Sequence, residues 1–293
     1  MYVIIGANGF LGSYLINSIL TKTNNAVVAA DMNLLGTASS PRVEWVNCDI
    51  TRPVDVENLN RELTKYEKKF IFLSSCHHPD LVEKNPRQAW NVNITALSYF
   101  MNEVENVKCF YYPSTDSVYG ESSGALFKES DEPNPINLYG RHKTAAEYIV
   151  NAYGYNVVRF PFLIGPSLLR HKEHFYDEIA KSLINSKPIV MFTDSFRSSL
   201  DFRTVADLLV DVMEKHDEQT PKILNISGDD ALSKYDVGCL IAKKLGVSEE
   251  LIVPAKTDDA KGIFGAKRAK STLLDNTLVK QVLGIEEIKM VIA

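Results

Sequence analysis

The chain has 293 residues, of which 45% are hydrophobic and 24% charged, and 32 basic against 37 acidic side chains give a formal net charge of -5. This composition excludes intrinsic disorder, collagen and small disulfide scaffolds, because the chain is long enough to bury a core without disulfides or a structural metal. The mild acidity, with no basic stripe, argues against partners such as nucleic acid or a membrane surface, and we expect small molecules or protein chains instead.

The ends of the chain and its cysteines predict a cytoplasmic location. No basic leader precedes the first apolar run, and no apolar stretch is long enough to cross a bilayer. The cysteines lie far apart and without metal-finger spacing, which predicts buried free thiols. His171 and His174 have helical spacing but no further ligand beside them, so we expect no metal site. The four cysteines are Cys48, Cys76, Cys109 and Cys239.

Short apolar runs alternate with helical segments through the first 160 residues. Strands are predicted at residues 2–5, 26–30, 43–46, 70–73, 108–112 and 156–160, and helices at residues 10–20, 54–66, 81–104 and 138–152. Such β-α-β units form a parallel sheet that is covered on both faces. The pattern therefore predicts an α/β protein, with a doubly wound Rossmann dinucleotide-binding domain at residues 1–160.

The regular alternation of predicted strands and helices ends after Pro161. Helices are predicted at residues 174–185, 205–216 and 234–245, with long connections between them. No flexible linker separates this half from the first. We expect a smaller α-rich substrate-binding subdomain at residues 161–293 that shares a cleft with the larger domain.

A glycine-rich loop follows the first predicted strand directly. Glycine permits a tight turn and brings backbone amides close to a pyrophosphate, whose charge the N-terminal end of the next helix stabilises. The position between strand and helix makes this a predicted dinucleotide site. The loop reads Gly6-Ala7-Asn8-Gly9-Phe10-Leu11-Gly12, and its predicted cofactor contacts are Gly6, Asn8, Gly9, Phe10, Leu11 and Gly12.

Two acidic residues end the next strands. Asp31 is placed to accept hydrogen bonds from an adenosine ribose, and its charge would repel a 2′-phosphate, which favours NAD(H) over NADP(H). Lys22 or Arg42 approaching from elsewhere would weaken that preference. Asp49 is placed to accept from the adenine amino group, with a helix cap before Arg52 as the alternative.

Tyr139 and Lys143 begin the helix that follows the fifth predicted strand. Residues four apart share a helix face, so the ammonium lies beside the phenol. A nearby positive charge is expected to lower the pKa of a tyrosine, which makes Tyr139 a candidate acid or base. Ser114-Thr115-Asp116 ends the preceding strand, on the side of the sheet where ligands bind.

With these motifs in this order, the chain resembles the extended short-chain dehydrogenase/reductase family over nearly its whole length. The resemblance implies that Thr115 hydrogen-bonds the reacting oxygen, Tyr139 exchanges its proton and Lys143 holds the nicotinamide ribose. It also implies cofactor contacts for Asn93, although an Asn on a helix can equally hydrogen-bond a neighbouring turn. Further implied cofactor contacts are Ile50, Ser74 and Phe162, and implied substrate contacts are Asp116, Ser117, Arg197 and Arg203.

Arg197 is the candidate for the phosphates of a substrate, because a guanidinium fork matches a diphosphate. The alternative is a surface arginine paired with Asp194 or Asp201. Within the family the chain is most similar to the branch that contains the dTDP-4-dehydrorhamnose reductases. Dehydratases of the family follow the Thr with Asp-Glu, whereas Asp116 is followed here by Ser117.

The resemblance favours an NAD(P)H-dependent reductase of a nucleotide-linked keto-sugar, and therefore an oxidoreductase. The segment from Ser117 to Gly120 is shared with epimerases, so an NAD-dependent nucleotide-sugar epimerase stays open. A second alternative is a non-enzymatic dinucleotide-binding regulatory subunit, like the beta subunits of methionine adenosyltransferases. Related enzymes dimerise through the helices after the fourth and fifth strands, which implies a homodimer through residues 81–104 and 138–152.

Overall fold

The computed structural model describes residues 1–35, 39–122, 124–260 and 264–292. Its strands, in chain order, are β1 (Tyr2–Ile5), β2 (Val27–Asp31), β3 (Val43–Asn47), β4 (Lys68–Phe72), β5 (Val107–Thr115), β6 (Asn156–Phe160), β7 (Leu163–Ile164), β8 (Ile189–Phe192), β9 (Phe196–Arg197), β10 (Leu200–Asp201), β11 (Ile223–Asn225), β12 (Leu232–Ser233), β13 (Ile252–Ala255) and β14 (Ser271–Thr272). Its α-helices are α1 (Phe10–Lys22), α2 (Pro53–Leu63), α3 (Pro79–Lys84), α4 (Pro86–Trp90), α5 (Leu97–Glu103), α6 (Leu138–Ala152), α7 (Phe175–Ile184), α8 (Phe202–Glu214), α9 (Lys234–Leu245) and α10 (Thr277–Leu283).

Seven strands form one large sheet in the order β11-β6-β5-β4-β1-β2-β3, and every pair in it is parallel. The order reverses between β1 and β4, as in doubly wound sheets, which bind ligands at the carboxyl ends of the strands beside such a reversal. The predicted α/β fold with a parallel sheet is confirmed, and each of the six predicted strands is present.

The two faces of the sheet carry separate cores because side chains alternate along each strand. Tyr2 and Ile4 of β1 face one core, which α1, α8 and α10 cover. Val3 and Ile5 face the other core, which α2, α5 and α6 cover. Helices therefore lie on both faces of the large sheet.

The long helix predicted at residues 81–104 is instead divided into four segments. Helix α3 ends before Asn85, α4 begins at Pro86, and a π-helical turn at Asn91–Ala96 leads into α5. Proline lacks an amide proton and clashes with the preceding turn, so Pro86 begins a helix rather than continuing one. The π-turn contains Asn93, whose side chain contributes to the site described below.

The second half of the chain has its own core between α7 and α9, with Ile179, Leu183, Val237 and Ile241 buried. Three small sheets accompany it: β7 with β10, β8 with β13, and β9 between β12 and β14. The chain also returns to the large sheet, since β11 pairs with β6 and α8 packs in the core beside α1. The domain boundary at residue 160 stays a prediction, and one strand of the large sheet, β11, lies beyond that residue.

Cys48 and Cys109 are buried, as predicted, and burial raises the pKa of each thiol to about 12. Cys76 and Cys239 are only partly buried, so the expectation that all four thiols are buried is wrong for these two. Within the described ranges, no helix combines the length and the apolar character that a membrane crossing requires.

Candidate active site

The glycine loop joins β1 to α1 at the carboxyl edge of the large sheet. Gly6 has φ +85°, and a Cβ there would lie 2.8 Å from the backbone nitrogen of Ser74, directly after β4. A Cβ on Gly12 would lie 2.4 Å from the carbonyl oxygen of Ala7. Both positions therefore require glycine, which keeps the start of α1, with Phe10 and Leu11 in its first turn, close to the loop backbone. The first amides of a helix lack intrahelical partners and attract anions.

The predicted ribose acceptor lies directly beside this loop. The Asp31 carboxylate accepts hydrogen bonds from the backbone amides of Asn8 at 2.9 Å and Asn33 at 3.2 Å. The Asn8 amide group donates to the carbonyl of Asn33, while its Oδ1 is buried without a hydrogen-bond partner in the described part of the chain. A glycine cradle, an adjacent carboxylate and an unpartnered buried oxygen fit an adenine dinucleotide.

Asp49 does not cap α2, because the N-cap residue is Arg52 and no side chain caps the helix, so the helix-cap alternative is wrong. Its Oδ1 accepts from the Thr51 amide at 2.9 Å and the Thr51 hydroxyl at 2.7 Å, in the turn before α2. Ile50 is buried in the core under α2. Contacts of Asp49 and Ile50 with an adenine ring stay predictions.

Asn93 organises the loop that follows β4. Its Oδ1 accepts from the Cys76 amide at 2.7 Å, and its Nδ2 donates to the Cys76 carbonyl at 3.1 Å. The side chain is 1% exposed. Asn93 therefore makes the alternative contact expected of it, a pair of hydrogen bonds to a neighbouring turn, and so holds the loop that Ser74 begins near Gly6.

The end of β5 presents Thr115 and Asp116, both buried. The Thr115 hydroxyl donates to Asp116 Oδ1 at 3.1 Å and accepts from the Ser117 amide at 3.2 Å. The Ser117 hydroxyl also faces Asp116, at 3.3 Å. The Thr115 hydroxyl is also near enough to the phenol of Tyr139 to lower its pKa, so β5 and α6 meet at these two hydroxyl groups.

The acid-base properties of Tyr139 differ from the prediction. Burial raises its pKa, the Asp116 carboxylate raises it further, and the Thr115 hydrogen bond lowers it only in part. The expectation that Lys143 lowers the pKa of Tyr139 is therefore wrong for the protein in this structure. Spacing places the two residues on one helix face, but it does not show how deeply the phenol is buried, and burial decides the direction.

The Lys143 ammonium is turned toward β5. It donates to the Tyr112 hydroxyl at 2.9 Å and to the Pro113 carbonyl at 2.6 Å, and it lies over the Tyr112 ring. Burial lowers the pKa of Lys143 to about 7, although Glu147, one turn further along α6, acts to raise it. Lys143 is thus held in place by two oxygen acceptors.

A buried ion pair fixes α6 to the sheet beneath these residues. Glu147 accepts from Arg159 of β6 at 2.6 Å, and the Ser114 hydroxyl donates to the same carboxylate. Arg159 also donates to the hydroxyl of Tyr119. Because β5, β6 and α6 all contribute, this network sets the position of the helix face that carries the predicted catalytic pair.

Aromatic side chains line the boundary between the glycine loop and the second half of the chain. The ring of Phe10 contacts the rings of His174 and Phe202, at centroid distances of 4.8 and 6.1 Å. Phe162, directly after β6, packs against Phe175. His174 also caps α7, accepting from the Tyr176 amide, so this imidazole already has a structural role.

The three-stranded sheet β12-β9-β14 places Arg197 at the site. Its Nε lies 3.2 Å from Asp116 Oδ2, and its guanidinium also donates to the carbonyls of Phe196, Ala269 and Lys270. Neither Asp194 nor Asp201 is its partner among the described residues, so that alternative is wrong. Thr272 of β14, next to Arg197 in the sheet, donates to the same Asp116 oxygen at 2.6 Å.

Arg203 does not contact Asp116, Arg197 or Thr272. It is exposed in the first turn of α8, near Tyr14, and makes no hydrogen bond or ion pair within the described chain. Its contact with substrate stays a prediction. One residue that contacts the site was not anticipated, Thr272, because the position of β14 depends on pairing with β9 rather than on a local motif.

This geometry defines a class: a doubly wound, Rossmann-like α/β protein with a glycine loop at the carboxyl edge of its sheet. The chain belongs to the RmlD substrate binding domain family, whose match extends over residues 1–290.

Two proteins are similar to the chain over nearly its whole length. Methionine adenosyltransferase 2 subunit beta of Bos taurus is 26% identical over 289 residues, which cover 97% of this chain and 82% of that protein. A probable low-salt glycan biosynthesis reductase of Haloferax volcanii, Agl14, is 26% identical over 293 residues, covering 98% of this chain and 94% of that protein.

Solved structures share the fold. UDP-glucuronic acid 4-epimerase of Bacillus cereus, in complex with UDP-glucuronic acid and NAD, has a TM-score of 0.81 at 21% identity over 99% of this chain and 95% of that one. dTDP-4-dehydrorhamnose reductase of Bacillus anthracis, in complex with NADP, has a TM-score of 0.79 at 18% identity over 99% of this chain and 94% of that one.

Proposed function

We propose that the protein is an NAD(P)H-dependent reductase of a nucleotide-linked keto-sugar. The observation that carries this proposal is the meeting of Thr115 and Tyr139 at the sheet edge that also holds the glycine loop, with Lys143 one turn further along α6. The similarity to the Haloferax volcanii reductase supports it.

Each residue of the site has a separate role in the proposed reaction. The hydride for the carbonyl carbon of the substrate would come from a reduced nicotinamide, if one is bound at the glycine loop. Tyr139, whose raised pKa keeps it a neutral phenol near pH 7, donates its proton to the carbonyl oxygen. Thr115 positions that oxygen with its hydroxyl, and the phenolate left on Tyr139 regains a proton from water. Lys143, held by Tyr112 and Pro113, binds the nicotinamide ribose.

NAD(H) is the proposed cofactor in preference to NADP(H). The carboxylate of Asp31 lies beside the loop, where it would repel a 2′-phosphate. The two basic residues that offered an alternative have other partners: Lys22 pairs with Asp211 at 2.6 Å, and Arg42 donates to the Thr23 carbonyl at 2.7 Å.

The test is cofactor consumption. Purified protein is mixed with reduced nicotinamide cofactor and each of a panel of keto-sugar nucleotides, and the absorbance of the cofactor is followed. We expect loss of absorbance with at least one of them. Tight cofactor binding without consumption of any would contradict the reductase.

The main alternative is a regulatory subunit, which the similarity to methionine adenosyltransferase 2 subunit beta supports. It predicts a stable complex with another protein and no turnover. Affinity purification from the native source distinguishes the two.

An epimerase predicts instead that bound NAD is reduced and reoxidised within one turnover, so a nucleotide sugar is converted without net consumption of added cofactor.

We infer a homodimer through the segments at residues 81–104 and 138–152. These segments expose Leu81, Trp90 and Tyr148, at 56%, 49% and 62% of their surface. Light scattering during size exclusion tests the dimer, with Trp90→Glu expected to yield monomers. Ile184→Glu, at an exposed residue of α7, is the control that should leave the mass unchanged.

A further inference from the structure

Tyr112 of β5 lies beneath the part of α6 that carries Lys143. Its side chain belongs to the core that α6 covers, and it is 1% exposed. The Tyr112 hydroxyl accepts a hydrogen bond from the Lys143 ammonium at 2.9 Å, and the ammonium lies 4.2 Å from the centroid of the Tyr112 ring. The carbonyl of Pro113 accepts from the same ammonium at 2.6 Å. Among the described residues these two oxygens are the only hydrogen-bond partners of Lys143, because Glu147 is bound by Arg159.

The two acceptors leave one donor of Lys143 unused. An ammonium has three N–H donors, and Tyr112 and Pro113 take two of them. The Lys143 side chain is buried, at 3% exposure, and a buried donor without an acceptor costs free energy. The remaining donor is therefore available to a single hydroxyl or carbonyl group of a ligand.

The Tyr112 hydroxyl also stabilises the charge of Lys143. Hydrogen bonds from an ammonium are stronger than those from a neutral amine, so an acceptor at this position favours the charged form. Burial opposes it and lowers the pKa of Lys143 to about 7. The other titratable groups whose charges act on the pair are Glu147 and Tyr139 of α6 and His77 after β4. Tyr112 itself stays neutral, because burial raises its pKa well above the ordinary value.

We propose that Tyr112 is a positioning residue that acts through Lys143, because its hydroxyl keeps the ammonium charged and in place for the nicotinamide ribose of the cofactor. The inference rests on the proposed cofactor role of Lys143 and deepens it. It assigns the residue that sets the charge of this lysine and limits its free donors to one. In this assignment Tyr112 touches neither the cofactor nor the substrate.

Equilibrium binding of ADP-ribose and ADP tests the assignment. ADP lacks the second ribose, so the ratio of the two affinities isolates the contact of that ribose. Tyr112→Phe keeps the ring under the ammonium and removes the hydroxyl. We expect the ratio of ADP-ribose to ADP affinity at pH 7 to fall about threefold or more, with ADP affinity unchanged.

Tyr111→Phe is the matched control. Tyr111 is the preceding residue of β5 and is equally buried, but its hydroxyl contacts His216 Nδ1 at 2.9 Å in the core on the opposite face of the sheet. The variant loses a comparable buried hydrogen bond away from Lys143. We expect its ratio of ADP-ribose to ADP affinity to equal that of the wild type.

The pH dependence of the same ratio distinguishes positioning from a structural role. Loss of the Tyr112 acceptor lowers the pKa of Lys143, so the ratio is expected to fall with rising pH about one pH unit earlier in Tyr112→Phe than in the wild type. An equal reduction at every pH would show that the hydroxyl only supports the fold, which contradicts the proposal.

The double variant shows whether Tyr112 acts through Lys143. In a Lys143→Met background, Tyr112→Phe is expected to cause no further change in the ratio. The proposal is overturned by a change of the same size with and without Lys143, by an unchanged ratio in Tyr112→Phe alone, or by wild-type protein that binds ADP-ribose no better than ADP. Because none of these measurements needs turnover, a protein that meets every expectation but consumes no cofactor would reject the reductase and retain the role of Tyr112.

Discussion

Asp116 and Arg197 join the two parts of the chain at the candidate active site. The Asp116 carboxylate follows β5 of the large sheet, and the Arg197 guanidinium belongs to β9, the middle strand of the sheet β12-β9-β14. The distance from Arg197 Nε to Asp116 Oδ2 is 3.2 Å. The two side chains are 7% and 14% exposed, respectively, so water screens the pair little. Asp116 thus contacts Arg197 and Thr272 of the second half of the chain and also accepts a hydrogen bond from Thr115.

The first prediction concerns this ion pair. Asp116→Asn keeps a hydrogen-bond acceptor for Thr272 but leaves the Arg197 charge without its partner. Breaking a buried pair in this way is expected to lower the free energy of unfolding by about 3 kcal/mol, measured by urea denaturation.

Glu173→Gln is the matched control, because Glu173 is 61% exposed and its contact with Lys181 is 3.5 Å long. Exposed pairs contribute at most about 1 kcal/mol. Similar losses in the two variants would contradict the view that the Asp116 pair joins the two parts of the chain.

The second prediction concerns Tyr139. Tyr139→Phe removes the proton donor but preserves the ring, so cofactor affinity is expected to change less than about threefold while turnover falls by a factor of about 100 or more. Titration of the cofactor and the rate of its oxidation measure the two effects. Tyr148→Phe, an exposed position on the same helix, should leave both unchanged. Turnover near the wild-type level in Tyr139→Phe would remove this phenol from the mechanism.

The sequence predicted the parts of this site that depend on local motifs. The glycine loop, Asp31 and the Tyr139–Lys143 spacing each lie within a single strand-to-helix connection or helix turn, and strand ends of a parallel sheet meet at one edge. The order of the motifs was therefore enough to place them together.

The remaining parts depend on distant pairing or on burial. Arg197 and Thr272 meet through two-residue strands, which are too short to show periodicity in the sequence. The direction of the Tyr139 pKa shift followed from burial, which spacing does not reveal. Pro86 was visible in the sequence, and its helix-breaking effect should have divided the helix predicted at residues 81–104.

The third prediction concerns cofactor choice. Asp31→Ser removes the charge expected to repel a 2′-phosphate while keeping a hydroxyl near the Asn8 and Asn33 amides. We expect the ratio of NADPH to NADH affinity to rise about tenfold, measured by binding titration of both cofactors. Asp49→Ser is the control, since Asp49 accepts from Thr51 in the turn before α2 and its predicted adenine contact is common to both cofactors, so the ratio should not change. An unchanged ratio in Asp31→Ser would show that another feature determines the preference.

The fourth prediction concerns the pH dependence of stability. Burial lowers the pKa of Lys143 to about 7 in the folded protein, whereas an unfolded lysine has a pKa of about 10.4. Between these values the unfolded chain binds more protons at this position than the folded chain does. Stability due to Lys143 must therefore rise with pH across this window, and below about pH 7 the full cost of the buried ammonium is present.

Comparison with Lys143→Met isolates this effect, because other titrating groups contribute equally to both proteins. The free energy of unfolding of the wild type, relative to the variant, is expected to rise from about pH 7 to pH 10 with a slope of up to about 1.4 kcal/mol per pH unit. Urea denaturation at a series of pH values measures it. Lys181→Met, at an exposed residue, should show no such slope relative to the wild type. A flat difference for Lys143→Met would mean that the ammonium keeps its ordinary pKa, stabilised by Glu147 and the two oxygen acceptors despite its burial.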